Sequence, residues 1–218
     1  MCKTSILLLS FLLASFSVQA ADTAELKVKG TITPPACTPA FSGGGVVDYG
    51  VIPAKSLSAG RYTVLAPRQV DFTISCESPI KVAMKISDNR ASSTIAGIAG
   101  YVSSSNSPDF YNFGLGSVSG KNVGGYVLTL SSDSNADGRA TSKIFSRDGG
   151  ASWKLGAMDI RNSAVDLFSF GDGSNQPVAF KQLTVRIDVK VILNKPENLP
   201  LTQDVPLDGS ATVEMVYL

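Results

Sequence analysis

Residues 183–193 read LTVRIDVKVIL, and this stretch decides the fold class. Apolar side chains occupy every second position from Leu183 to Leu193, with polar side chains between them, and only Ile192 departs from the alternation. A period of two is typical of a β-strand with one buried face. Shorter runs of the same kind occur at residues 70–76, 82–86 and 126–130. The sequence therefore predicts a protein built mainly from strands.

Turn-forming residues separate these runs. Pro, Gly, Asp and Asn stand at positions 79, 88–89, 124–125, 148–150 and 172–173. No window of ten or more residues shows a convincing helical period. Short strands with frequent turns are typical of a β-sandwich. Because no Pro-rich linker divides the chain, we predict one domain over residues 37–218, with a long middle region at residues 88–175, in preference to two small domains.

The first twenty residues have the layout of a signal peptide. Lys3 gives a positive start, residues 6–16 form a short apolar run, and residues 18–20 supply a small-x-small end. The apolar run is shorter than the roughly 20 residues that a transmembrane helix needs. We therefore expect residues 1–20 to be removed on export, with the mature chain beginning near Ala21.

Charge and composition exclude several classes of function. Removal of residues 1–20 would leave 198 of the 218 residues, with 18 basic and 18 acidic side chains. A chain without net charge has no general attraction to nucleic acid or to anionic membranes. Histidine is absent, which excludes Ser-His-Asp and Cys-His catalysis and imidazole metal sites. The carboxylates that could act in a hydrolase are scattered without a recognisable spacing and are expected to be solvated: Asp159, Asp166, Asp172, Glu197 and Asp204. No enzyme activity, metal or cofactor is expected.

Two of the three cysteines would remain after export. Cys2 lies in the predicted signal peptide, whereas Cys37 and Cys76 would enter a compartment in which thiols are oxidised. We predict one structural disulfide between them, worth about 4 kcal/mol in the chain-entropy model. A reactive thiol pair is the alternative, but the C-x-x-C spacing of such pairs is absent.

Both ends of the mature chain have the pattern of a strand. Near the N-terminus, Leu26, Val28, Gly30 and Ile32 alternate with polar residues until two prolines at 34–35 end the run. A glycine inside a strand allows a neighbouring backbone to come very close.

The C-terminal strand pattern runs to the last residue of the chain. Ala211, Val213, Met215 and Tyr217 form its apolar face. If this strand lies at a sheet edge, its unpaired backbone groups are open to another strand. An exported protein with such an edge either aggregates or has a partner that covers it.

Four features of the sequence resemble the subunits of chaperone–usher pili (fimbriae), in a longer fimbrial-like branch. They are the alternating segment before the first cysteine, the hydrophobic-Asp-aromatic-Gly step at residues 47–52, the strand ending in the second cysteine at residues 70–76, and the C-terminal strand with its penultimate aromatic at residues 211–218. The resemblance covers residues 24–87 and 178–218. The middle region exceeds the length of typical shaft subunits, and Gly209 lies nearer the C-terminus than their corresponding glycine.

The resemblance implies an all-β fold, namely an incomplete immunoglobulin-like β-sandwich that lacks its last strand and is closed by the Cys37–Cys76 disulfide. The N-terminal extension, residues 21–36, would act as a donor strand through Leu26, Val28, Gly30 and Ile32. Val213, Met215 and Tyr217 would line the edge that binds a chaperone and then a neighbouring subunit. The implied partners are a periplasmic pilus chaperone, an outer-membrane usher and neighbouring pilus subunits. The implied route leads through the periplasm to a fimbrium at the cell surface.

Two alternatives stay open at the level of sequence. Residues 24–33 could form an edge strand of the same domain, which would then be complete on its own. Such a self-contained domain could be a periplasmic or surface carbohydrate-binding or adhesin module. Its candidate sugar-binding face consists of aromatic residues: Tyr101, Phe110, Tyr111, Phe113 and Trp153.

One local motif in the middle region predicts a hairpin. Residues 146–153 fit the pattern S-x-D-x-G-x-[ST]-W, which resembles the Asp-box turn of sialidases. In that turn an aspartate binds nearby amides, a glycine provides a positive φ and a tryptophan packs beneath. A single copy cannot form a propeller, so we expect Asp148 and Trp153 to have a structural role.

Overall fold

The computed structural model describes residues 24–32, 36–156 and 159–218. The chain divides into two compact units, residues 1–33 and residues 34–218. The predicted signal peptide lies outside the described residues, so its removal stays a prediction. No helix in the part of the chain that the structure describes is long and apolar enough to cross a membrane.

Strands make up the regular structure of the second unit. In chain order they are β1 (Cys37–Phe41), β2 (Thr63–Val64), β3 (Arg68–Ile80), β4 (Val82–Asp88), β5 (Phe113–Gly114), β6 (Ser117–Val118), β7 (Lys121–Asn122), β8 (Gly124–Ala136), β9 (Arg139–Ala140), β10 (Ser142–Ser146), β11 (Lys154–Leu155), β12 (Leu167–Gly171), β13 (Phe180–Leu193) and β14 (Ala211–Tyr217). The 3₁₀ turns are Ser42–Gly45, Ala54–Ser56, Ala91–Ser93, Ile98–Tyr101, Pro108–Tyr111 and Pro196–Asn198. Since the described residues contain no α-helix, the predicted all-β class is confirmed.

The strands form two antiparallel sheets. The first has the order β1-β3-β13-β8-β5, with β2 on β13 and β9 on β8. The second has the order β11-β10-β12-β4-β14, and β6 pairs with β7 in a separate ribbon. Side chains from both sheets share one apolar core, which makes the unit a β-sandwich, as the sequence predicts.

The central strand β13 shows why the alternation identifies the fold. Its inward residues from Leu183 to Leu193 are at most 8% exposed, and Thr184 and Arg186 on the other face are exposed. Ile192 is also fully buried, although it lies on the outer face. The 3₁₀ turn Ile98–Tyr101 contacts this strand and β8. We attribute the burial of Ile192 to the packing of this turn on the outer face of the sheet.

The middle region extends both sheets and does not form a separate domain. It contributes β5, β8 and β9 to the first sheet and β10, β11 and β12 to the second. The segment between β4 and β5 carries three of the 3₁₀ turns. The predicted long inserted region is therefore part of the sandwich.

The turn between β10 and β11 is held by Asp148. Its carboxylate accepts hydrogen bonds from Ser146 Oγ at 2.6 Å, from the Ser152 backbone N–H at 2.9 Å and from Ser152 Oγ. Trp153 Nε1 donates to the Gly150 carbonyl at 3.1 Å, where Gly150 has a φ of +97°. The buried Trp153 ring packs in a small apolar cluster with Ala83, Ile144, Leu167 and Val216. The motif is thus a structural hairpin, as its sequence indicates.

The disulfide gives the first testable prediction. Cys37 and Cys76 are opposite each other in the register of β1 and β3, and their bond joins residues 39 positions apart. The double variant Cys37→Ser/Cys76→Ser should lose about 3–4 kcal/mol of unfolding free energy, because its unfolded chain regains loop freedom. Urea unfolding of the oxidised parent and the variant measures this difference. An unchanged midpoint would contradict a structural role.

Asp148 gives a second prediction, which concerns pH. Its hydrogen bonds with Ser146 and Ser152 hold the pKa of the Asp148 carboxyl at about 2. A depressed folded-state pKa contributes stability that is present above the unfolded-state pKa of about 4 and is lost as the pH falls toward 2. The stability advantage of the parent over Asp148→Asn should therefore shrink between about pH 4 and pH 2.

Urea unfolding followed by fluorescence measures this effect, because Trp153 is the single tryptophan of the chain and lies in the hairpin. An advantage that stays constant down to about pH 2 would show that the negative charge of Asp148 does not stabilise the turn.

Candidate functional site

β14 lies at the edge of the second sheet. It pairs along its whole length with β4, from Ala211 opposite Asp88 to Tyr217 opposite Val82. No strand pairs with its other side in the described part of the chain. The backbone groups on that side are consequently open to a further strand.

The inward face of β14 is only partly covered. Ala211, Val213 and Met215 pack against the core but stay partly exposed, and Tyr217 is 46% exposed. The inward residues of β13 are buried by comparison. We attribute this difference to the absence of a neighbouring strand beside β14.

A large groove lies beside β14, and we call it the acceptor groove. Its volume is about 1180 Å³, which exceeds the usual 300–1,000 Å³ of small-molecule sites. Inward side chains of both sheets line it, including Val70, Ile86, Leu128, Ile187 and Val189. Residues 46–54, residues 199 and 201–207, and Ala211 and Val213 of β14 also line it. Core side chains of both sheets, each at most 8% exposed, therefore border the groove.

Residues 46–53 form a wall of the acceptor groove and contain the hydrophobic-Asp-aromatic-Gly step. Asp48 Oδ1 accepts a hydrogen bond from the Gly50 backbone N–H at 2.8 Å, and Gly50 has a φ of +65°. A positive φ favours glycine, so this step marks a tight bend. The bend points Val47 and Tyr49 to the core and leaves Val51 97% exposed.

Tyr49 ties this wall to the first sheet. Its hydroxyl donates a hydrogen bond to the Val189 carbonyl at 2.8 Å, and the Arg68 guanidinium lies 5.3 Å from the ring centre. Burial raises the pKa of the Tyr49 hydroxyl, because the phenolate would lose its hydration. The hydroxyl thus stays a donor at neutral pH.

The two sheets meet at the C-terminal end of β14. The Cys37 backbone N–H donates a hydrogen bond to Tyr217 Oη at 3.2 Å. Cys37 begins β1, the edge strand of the first sheet, and is fixed to β3 by the disulfide. Tyr217 therefore links the edge strands of the two sheets and does not line the open part of the acceptor groove.

The predicted donor residues lie in the first unit. In residues 24–32 no strand is assigned, and Leu26, Val28 and Ile32 are 89%, 90% and 100% exposed. A Cβ at Gly30 would have nothing within 4 Å, and the close backbone approach expected at this position stays a prediction. Residues 33–35, which include both prolines, lie outside the described residues.

The aromatic residues considered as a sugar-binding face do not lie together. Phe113 is fully buried and stacks on Tyr126, and Trp153 belongs to the hairpin cluster. Tyr101 and Phe110 are exposed on the middle region, and Tyr111 is partly buried there. The structure therefore gives no single aromatic face from these five residues.

Sequence reasoning missed two parts of the site. The segment at residues 199 and 201–207 lines the acceptor groove but carries no alternation that identifies it. The size of the groove depends on the distance between two sheets, which no local pattern encodes. The bend at residues 47–50 was recognisable only through its resemblance to pilus subunits.

Comparisons with known proteins find one matching family model and two relatives in Escherichia coli K12. A family model described as "Protein of unknown function (DUF1120)" matches residues 26–127. That range contains the alternating N-terminal segment and both disulfide cysteines. The chain is 27% identical over 232 residues to the uncharacterized protein YhcF of Escherichia coli K12, covering 94% of each chain. It is 36% identical over 89 residues to protein GltF of the same organism, covering 38% of this chain and 35% of GltF. No solved structure matches.

The hydrogen bond of Tyr49, which ties the wall at residues 46–53 to the first sheet, gives a third prediction. Tyr49→Phe should lower the free energy of unfolding by about 1 kcal/mol, because the hydrogen bond from the Tyr49 hydroxyl to the Val189 carbonyl is lost. Tyr101→Phe is the matched control, since Tyr101 is 59% exposed and no hydrogen bond of its hydroxyl is described. Denaturant unfolding of both variants measures the difference. Equal stability of the two variants would show that the hydroxyl does not hold the wall.

Proposed function

We propose that this protein is an exported structural subunit of a bacterial fimbria, assembled by donor-strand exchange through the chaperone–usher route. The observation that carries the proposal is the open edge of β14 beside an apolar groove of about 1180 Å³. The same chain has a separate segment, residues 24–32, whose alternate apolar side chains are exposed. An open edge and an exposed strand-like segment are the two complementary parts that strand addition requires.

Burial of the donor side chains supplies the driving force. Leu26, Val28 and Ile32 would each contribute about 1.5–3 kcal/mol on full burial, as an upper estimate before the cost of ordering the segment. The open backbone groups of β14 would gain hydrogen bonds in addition. The alternation fixes which side chains enter the acceptor groove, because a shift by one residue would present Lys27 and Lys29 instead.

Chain direction favours pairing between two copies over pairing within one copy. β1 begins at Cys37, whose backbone N–H donates a hydrogen bond to the hydroxyl of Tyr217 at the C-terminal end of β14. If residues 24–32 of the same copy paired with β14, residue 32 would therefore lie near Tyr217 and residue 24 near Ala211. The two strands would then have the same chain direction, which is parallel pairing. Parallel pairing is slightly less stable per residue, whereas the segment of another copy is free to approach antiparallel. Exchange between copies extends into a fibre.

The proposed partners follow from the exposed groove. Before assembly, an uncovered apolar groove is an aggregation hazard. A periplasmic chaperone that lends a strand would cover it, and an outer-membrane usher would exchange that strand for the segment of the next subunit. The disulfide supports folding in an oxidising compartment such as the periplasm. The fimbrium at the cell surface is the proposed destination.

The fourth prediction tests strand donation directly. A mature variant lacking residues 21–33 should bind a peptide of residues 21–33 and become more stable. At about 100 times its Kd the peptide should add about 2.7 kcal/mol, which corresponds to a rise in Tm of roughly 5–10 °C. Thermal unfolding with and without peptide measures this. A peptide carrying Val28→Asp is the control, because it places a charge in the apolar groove.

Two matched variants of β14 localise the effect. Val213→Asp alters a lining residue of the acceptor groove and should abolish the response, whereas Thr212→Asp on the exposed face should retain it. The particle size of the full mature chain separates exchange between copies from pairing within one copy. A truncated domain that melts cooperatively and ignores the peptide would overturn the proposed function.

A further inference from the structure

A second cavity lies in the middle region and shares no lining residue with the acceptor groove. Its volume is about 260 Å³. It is formed by parts of the segments at residues 104–111, 145–147 and 159–168. We call it the middle-region pocket. This volume is slightly below the usual range for small-molecule sites, so it suits a single small ring.

The floor of the middle-region pocket is apolar. Leu130 is fully buried, and Ile160 and Phe168 are 4% and 6% exposed. Phe145 and Tyr111 add two partly buried aromatic rings to the lining. An apolar and aromatic floor with a few polar groups around it is the usual composition of a ligand site.

The carboxylate of Asp159 lines the pocket and is held in position by two hydrogen bonds. Its Oδ1 accepts a hydrogen bond from Thr129 Oγ1 and its Oδ2 accepts one from Ser103 Oγ, both at 2.6 Å. Ser103 and Thr129 are themselves buried. An ionised carboxylate has about four acceptor sites, so Asp159 retains capacity to accept hydrogen bonds from a ligand.

Arg161 and Asp166 form an ion pair in the wall of the same pocket. Arg161 Nη1 binds Asp166 Oδ2, and the two side chains are only 19% and 12% exposed. The Arg161 guanidinium also lies 4.2 Å from the centre of the Phe110 ring. Burying such a pair adds little net stability, because desolvation opposes the attraction. Orientation of a ligand explains its presence in the wall better than stability does.

The charges of the pocket indicate a ligand without net charge. Arg147 and Arg161 are balanced by Asp159 and Asp166 among its lining residues. Arg147 is exposed and forms no ion pair in the part of the chain that the structure describes, while its guanidinium lies 5.0 Å from the centre of the Phe145 ring. Two cationic donor side chains and two anionic acceptor side chains beside aromatic rings match a molecule that carries both hydroxyl groups and C–H faces.

We infer that the middle-region pocket binds one neutral pyranose ring, as a free monosaccharide or as the terminal sugar of a glycan. The hydroxyl groups of the sugar donate to Asp159 and accept from Arg147, and its C–H face packs on the aromatic floor. The inference does not depend on strand exchange, because the pocket and the acceptor groove have no lining residue in common.

The test uses the full mature protein and saturation-transfer NMR. The neutral probes are D-glucose, D-galactose, D-mannose and N-acetyl-D-glucosamine, each titrated to about 10 mM, and D-glucuronate is the anionic probe. At least one neutral probe should bind. Arg147→Ala should weaken that binding by about tenfold or more, because a hydrogen bond to a charged group is lost.

Two further variants make the result specific. Arg139→Ala is the matched control, since Arg139 is an exposed arginine outside the pocket, and it should leave the affinity unchanged. Asp159→Asn, checked for an unaltered fold by its amide spectrum, should also weaken the neutral sugar. The absence of binding by every neutral probe would overturn the inference. Binding of D-glucuronate alone, or binding equally tight in Arg147→Ala, would overturn it as well.

Discussion

The proposed function depends on the edge of β14, which has no partner on one side within the described part of the chain. β14 is paired with β4 on one side and open on the other, and its open side borders apolar core residues. Such an edge invites either a partner or aggregation. Contacts that need no strand in the acceptor groove hold its walls: the disulfide fixes β1, Tyr217 links β1 to β14, and Tyr49 binds the Val189 carbonyl. The groove is therefore preformed, which lowers the ordering cost of any strand that enters it.

The middle region supports the same edge strand from its outer face. Val216 of β14 packs against the cluster that contains Trp153, and the Asp148 turn holds that tryptophan in place. Lys85 and Glu214 add a cross-strand ion pair at 3.0 Å. As a result β14 is stabilised by β4, by the core and by the hairpin. On β14 itself, only the hydrogen-bonding side next to the acceptor groove remains open to a further strand.

The sequence predicts local features of this protein well and long-range ones poorly. Alternation identified β13, β3, β4 and β14, since burial of one sheet face imposes a period of two on each strand. The order of strands was not predictable, because antiparallel pairs such as β14 with β4 join residues more than a hundred positions apart. The carboxylates of Asp159 and Asp166 were expected to be solvated and are partly buried. Their partners come from distant segments, so no spacing in the sequence marks the middle-region pocket.

The extra length of the chain has a physical rationale under the proposed function. A subunit that gives one strand and receives another commits residues 24–32 and β14 to its neighbours, so neither is available for a ligand. A ligand site must then be built from segments that take no part in pairing. Loops of the middle region meet this condition, because they join strands that are already paired inside the sandwich. The lining residues of the middle-region pocket come mainly from these loops and from β10 and β12. Assembly and ligand binding can therefore occupy one domain without competing for the same backbone or side chains.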